Sequence, residues 1–119
     1  MTSSSLPFAR PKVVDKPWGR EDWLFVGDRV VMKRLVVFAG ARLSLQLHRQ
    51  KEEGWLLVRG RARVRFNDIE GEMNAGDVLH LPTGTVHRIE AIEEIELIEA
   101  STPELTDVVR IEDDFGRTT

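Results

Sequence analysis

The sequence predicts an all-β domain, a small antiparallel barrel or sandwich, and three observations carry that prediction. Short runs rich in Val, Ile and Leu recur at near-regular spacing, each closed by a Gly, Pro, Asn or Asp turn signal. No stretch repeats its apolar residues with helical periodicity over a useful length. The chain has 119 residues, of which 41% are hydrophobic, enough for one core and one domain but not two.

The strand candidates follow in order. Residues 21–26 end at Gly27-Asp28, and 30–37 end at Ala39-Gly40. Residues 42–47 run into the polar segment 48–53, and 55–58 stop at Arg59-Gly60. Then come 62–66 before Asn67-Asp68, 69–73 before Asn74-Ala75-Gly76, 78–81 before Pro82-Thr83-Gly84, 85–89, and 95–100. Residues 1–15 read as a flexible lead-in, residues 16–117 as a single domain, and the stretch after 101 as a less regular tail. Mixed runs such as Val-Val-Met-Lys-Arg-Leu-Val-Val suit a sheet covered on both faces.

Composition narrows the function classes. A net charge of −3 argues against nucleic acid, which asks for a basic face. The basic stretch Arg59 to Arg65 alternates with small and apolar residues and so reads as the solvated face of a strand. The clustered Glu93, Glu94, Glu96 and Glu99 read as a solvated strand edge, and Trp18, Trp23 and Trp55 as core or interface aromatics. No cysteine is present, which excludes disulfides, thiolate metal sites and cysteine nucleophiles. No apolar run reaches membrane-spanning length and the first residues lack a signal core, so the expected location is cytoplasmic, without membrane or nucleic-acid partners.

Four residues have the makings of a metal shell. Gln46 and His48 lie two apart on a candidate strand and leave the same face. Glu53 follows across a turn, and His87 follows the Pro82-Thr83-Gly84 turn on a later strand. If the strands close into a barrel, two imidazoles, a carboxylate and an amide oxygen meet inside it, a sound divalent-metal site with room for a ligand. His80 alternates with Val78 and Pro82. It is a candidate proton carrier because imidazole changes charge near neutral pH.

The segments 40–60 and 76–87 resemble the paired motifs of the cupin superfamily, G-x5-H-x-H-x4-E-x6-G and G-x5-P-x-G-x2-H, with Gln46 in place of the first histidine. More narrowly, the chain is similar to the cupin domain of type II phosphomannose isomerases, including those fused to mannose-1-phosphate guanylyltransferase. Lys16-Pro17-Trp18-Gly19, Gly40-Ala41-Arg42-Leu43-Ser44-Leu45-Gln46 and Arg110-Ile111-Glu112-Asp113-Asp114-Phe115-Gly116-Arg117 carry that likeness. It implies a double-stranded β-helix of the RmlC-like jelly-roll type. It also implies one divalent ion, zinc first, with manganese, iron, nickel or cobalt as alternatives, and a phosphorylated sugar as small-molecule substrate. The implied activity is interconversion of mannose 6-phosphate and fructose 6-phosphate by a homodimer. Arg42, which strand parity puts on the face of Ser44, Gln46 and His48, is then a catalytic or substrate-binding arginine, with Lys33 and Arg88 as further substrate-binding candidates. Three histidines of the family pattern are Arg49, Gln50 and Gly54 here, which motivates a second reading, a non-catalytic sugar- or small-ligand-binding metal cupin. An iron- or manganese-dependent oxygenase is the third.

Overall fold

The computed structural model describes residues 6–117, so the first part of the expected lead-in, residues 1–5, lies outside the described residues. Eleven strands follow in chain order: β1 (Lys12–Lys16), β2 (Gly19–Val26), β3 (Val31–Val37), β4 (Leu45–Leu47), β5 (Glu53–Arg59), β6 (Arg61–Phe66), β7 (Ile69–Asn74), β8 (Val78–Leu81), β9 (His87–Ala91), β10 (Ile95–Ser101) and β11 (Val109–Glu112). They form a six-stranded sheet ordered β1-β2-β3-β10-β5-β8 facing a five-stranded sheet ordered β11-β4-β9-β6-β7. Every paired neighbour is antiparallel. The expected all-β barrel is the observed fold.

Alternation explains which side chains enter the barrel. In β10, Ile95, Leu97, Glu99 and Ser101 are buried while the residues between them are only partly so. In β5, Glu53, Trp55 and Leu57 point inward, and in β9 His87, Ile89 and Ala91 do. The apolar members pack with Trp18, Leu35, Val37, Ala62, Val64, Met73 and Leu81 into one core. That core fills one end of the barrel, and the polar inward residues gather at the other. Arg61 and Arg63 of β6 are exposed between buried Ala62 and Val64, as the alternation of the basic stretch predicts.

Turn glycines set the spacing. Gly60 has φ +89°, and a Cβ there would lie 2.4 Å from the Glu94 carbonyl oxygen, so the β5–β6 turn requires glycine. Gly84, at φ +83°, turns the chain between β8 and His87.

Three expectations need correction. Lys12 to Asp15, assigned to the lead-in, are strand residues in register with Arg20 to Trp23. Strand β4 is only three residues long, and Arg42 joins the sheet only through an isolated bridge to Glu90. Glu99 is buried inside the barrel rather than solvated, because β10 is an interior strand and Glu99 shares the inward face of Ile95 and Leu97.

Candidate metal centre

The four residues singled out as a shell come from three strands and one loop. Gln46 and His87 are register partners on β4 and β9, which sets their side chains next to each other. His48 follows directly after β4, and Glu53 opens β5. The ligating atoms of His48, Glu53 and His87 all lie within 4.8 Å of one another, and all three residues are buried.

Hydrogen bonds orient both rings. His48 Nδ1 donates to the Asp107 carbonyl oxygen at 2.5 Å, and His87 Nδ1 donates to the Thr85 carbonyl oxygen at 2.8 Å. Each Nε2 lone pair is therefore left facing the cluster, the tautomer a metal-ligating histidine needs. Glu53 Oε1 accepts from Trp55 Nε1 at 3.1 Å, which turns Oε2 towards His48. His48 Nε2 and Glu53 Oε2 stand 2.5 Å apart, fully buried, yet neither makes a hydrogen bond of proper geometry. An imidazole lone pair held against a carboxylate oxygen is unfavourable even with the Lys51 ammonium 3.4 Å from that oxygen, and a cation shared by both removes the cost. Donors placed about 2 Å from one ion at tetrahedral angles sit about 3.3 Å apart, a spacing bracketed by the 2.5 Å pair and the 4.8 Å limit of the cluster, so small side-chain shifts would let the three donors share one divalent ion. The Gln46 side chain points Nε2 at His87 Nε2 across 3.4 Å while its Oε1 accepts from Ser44 Oγ at 2.8 Å. A half-turn of the amide brings Oε1 to the cluster at no cost in shape.

The protonation states suit ligation. Burial pushes the Glu53 carboxyl up, but the basic groups packed around it, His48, Lys51 and His87, outweigh it and hold the group well below the ordinary carboxylate range. Burial depresses His87 below the usual histidine value and so keeps its ring neutral. A deprotonated carboxylate and a neutral imidazole are the forms that bind metal.

A cavity of about 160 Å³ opens beside the cluster. Its wall carries five basic side chains, Lys16, Lys33, Lys51, Arg110 and Arg117, against three carboxyls, Glu21, Glu53 and Glu99. Lys33 Nζ pairs with Glu21 at 2.5 Å and stands 5.0 Å from the centre of the Trp23 ring; Trp23 is a cavity wall, Trp55 belongs to the core, and Trp18 belongs to the core while also bordering the cavity. Burial and the charge of Glu53 raise the Glu99 carboxyl to about 8. Residues 102–117 cross the cavity rather than trailing away: Leu105, Val108, Arg110 and Arg117 line it, and β11 pairs with β4. Asp107 ties this crossing to the ligand loop, its carboxylate accepting from the backbone N–H of Arg49, Gln50 and Lys51 at 3.2, 2.6 and 2.8 Å.

Three other candidates lie elsewhere. Arg42 makes a two-pronged contact with Asp114 at 2.7 and 2.9 Å and faces an outer groove with Arg63, Arg65 and Arg88. Parity from Ser44 fails to place it because the chain leaves strand geometry between residues 42 and 45. Arg88 follows inward His87 and so points outward, where it donates to the Leu43 carbonyl oxygen at 2.9 Å and clasps Glu112. His80 is 64% exposed and pairs with Glu52 on the barrel surface. The structure thus brings together Gln46, His48, Glu53, His87 and Lys33, and leaves Arg42, Arg88 and His80 outside. Lys51 and Glu99 are among the cavity residues that sequence reading missed, and so is Asp107, which orients His48 from beside the cavity. Glu99 alone carried a signal, its parity with Ile95 and Leu97; the other two are placed by loops.

Residues 8–113 match the sequence model of the family described as "Mannose-6-phosphate isomerase C-terminal". The chain belongs to this family. It is 36% identical over 109 residues to mannose-1-phosphate guanylyltransferase ManC of Salmonella typhimurium, an alignment that covers 87% of the chain and 23% of ManC. It is likewise 36% identical over 110 residues to alginate biosynthesis protein AlgA of Pseudomonas aeruginosa, covering 88% of the chain and 23% of AlgA. This family member thus spans about a quarter of the length of the curated relatives it matches. An RmlC-like cupin from Shewanella frigidimarina superposes with a TM-score of 0.77 at 20% identity, covering 87% of this chain and 96% of that one, a likeness of fold. The chain is therefore a cupin, a fold that commonly carries a metal, and its described residues include no helix long and apolar enough to cross a membrane.

These findings correct the expected activity. The word isomerase belongs to the family's description, whereas the relatives are named for guanylyl transfer to mannose 1-phosphate or for alginate biosynthesis. Nothing in this cupin domain is specific to isomerisation, and three histidines of the isomerase pattern are Arg49, Gln50 and Gly54.

Proposed function

We propose that this cupin holds one zinc ion with His48, Glu53, His87 and Gln46 and binds a phosphorylated sugar in the adjoining cavity. The excess of basic over acidic side chains around that cavity carries the reading. A bound divalent ion adds to the excess, so the preferred ligand is an anion, and the relatives' names point to the phosphosugars of mannose metabolism. When bound, the ion supplies a Lewis-acidic contact for an oxygen of the ligand. The protein supplies cationic anchors, with Lys33 nearest the Trp23 wall. A phosphorylated ligand goes with a cytoplasmic location.

Calorimetric titration of the zinc-loaded protein tests this. Mannose 6-phosphate or mannose 1-phosphate is expected to bind and free mannose to give no measurable heat. Equal binding of mannose and its phosphates, or a protein retaining no zinc on elemental analysis, refutes the proposal. A homodimer belongs to the same reading: the outer face of the six-stranded sheet exposes Met32, Leu56, Val58 and Val78, an apolar stripe that a second copy covers. Light scattering is expected to give twice 13.6 kDa, and a monomer at micromolar concentration overturns it.

A further inference from the structure

Lys51 is a buried lysine beside the candidate metal ligands. Its residue is 7% exposed, its side chain lines the cavity, and Nζ lies 3.4 Å from Glu53 Oε2. The loop that carries it is pinned. The Lys51 N–H is held by Asp107, and the carbonyl oxygens of Gln50 and Lys51 accept from Thr83 Oγ1 at 3.2 and 3.4 Å. The ammonium is therefore presented to the cavity by a fixed backbone rather than swept through solvent.

A buried ammonium needs a counter-charge. The carboxyls that face it are Glu53 and Glu99, and of the other cavity cations Lys33 is already paired with Glu21 and Arg117 with Asp113. A divalent ion taken up by His48, Glu53 and His87 claims the Glu53 charge and adds two positive charges of its own. Lys51 then loses its partner just as the surroundings become more positive. An anionic group entering the cavity restores the balance and finds a charged donor already in position.

We propose that Lys51 is the anion-binding residue of the loaded site, pairing with Glu53 when no metal is bound and with the anionic group of the ligand once the metal holds Glu53. The inference rests on the metal reading above and goes beyond it by assigning the anion to one residue. It follows that Lys51 opposes metal uptake and supports ligand uptake, a combination that a merely structural lysine does not produce.

The test uses the full chain, cobalt(II) as the metal probe and inorganic phosphate as the anion probe, with Lys51→Met and Lys51→Arg beside wild type. Cobalt is expected to bind Lys51→Met at least as tightly as wild type. Phosphate is expected to bind the cobalt-loaded Lys51→Met about ten-fold or more weakly, the loss of one charge-assisted hydrogen bond, and Lys51→Arg is expected to restore most of that affinity. Should Lys51→Met not fold, Lys51→Gln removes the charge while keeping a polar side chain and reads the same comparison. Unchanged phosphate affinity in the uncharged variant overturns the inference and leaves the metal reading standing. A folded uncharged variant that loses cobalt overturns it as well, since Lys51 would then support the ligand set. Wild-type protein that takes up no cobalt fails the metal reading itself.

Discussion

Glu53→Gln is the sharpest perturbation of the proposed metal centre. The amide is isosteric with the carboxyl and its oxygen still accepts from Trp55 Nε1, so the barrel packing at β5 is kept. What is lost is the anionic oxygen that stands with two imidazole nitrogens inside one 4.8 Å cluster. At free zinc set to about 100 times the wild-type dissociation constant, metal binding stabilises the native state by about 2.7 kcal/mol. For a domain of this length that is a rise in Tm of about 11 °C, taking about 4 °C per kcal/mol. Removing even a supporting partner of a metal ligand weakens affinity by about 10–100-fold, so removing the ligand itself weakens it by about 100-fold or more. At the same free zinc the gain then falls to about 0.4 kcal/mol or less, a shift of about 2 °C. Thermal unfolding of both proteins with and without zinc reads this directly. A Glu53→Gln variant that keeps the full zinc-dependent rise refutes the assignment of Glu53 as ligand.

Three further outcomes are expected. Asp22 is buried between Arg20 and Arg34; burial pushes its carboxyl up, but the guanidinium hydrogen bonds of Arg34 and Arg20 hold it below its ordinary value of 3.8. Its stabilisation is therefore complete above pH 3.8 and lost as pH falls through the lower native value. Asp22→Asn should cost about 1–3 kcal/mol at pH 7, with the gap to wild type closing in urea titrations below pH 3.8. A gap that stays constant with pH contradicts this account. Gly60→Ala places a Cβ 2.4 Å from a backbone carbonyl at φ +89° and should destabilise by about 1–3 kcal/mol, read from the urea midpoint, and a neutral result means the turn relaxes. Arg42→Ala and His80→Ala remove side chains outside the cavity. Each should leave zinc affinity unchanged and alter stability by less than about 1 kcal/mol, and a loss of zinc binding in either returns that residue to the site.

Legibility followed local periodicity. The nine strand candidates correspond to β2 through β10 because period-two patterning and turn residues are local signals, and the paired spacings around Gly40, Gly60, Gly76 and Gly84 set the positions that converge. β1 and β11 were missed because both are short edge strands, and their pairing with β2 and β4 is decided by partners. Arg42 was misplaced because parity counting assumes an unbroken strand. Glu99 was misread because a cluster of glutamates suggests solvent, although its own alternation places it with Ile95 and Leu97.

What this sequence determined by itself was the class of fold, the shared face of Gln46 and His48, and the donor types available for a cation. Only the tertiary structure decided which charges share an enclosed space: that Lys33, Lys51 and Glu99 line the cavity beside the ligand cluster, that residues 102–117 close over it, and that Arg42, Arg88 and His80 lie outside it. The reason is physical. Side-chain direction along a strand is a property of neighbouring residues, whereas electrostatic environment depends on chain segments far apart in sequence, and no local pattern encodes the crossing that brings Asp107 within 2.5 Å of His48.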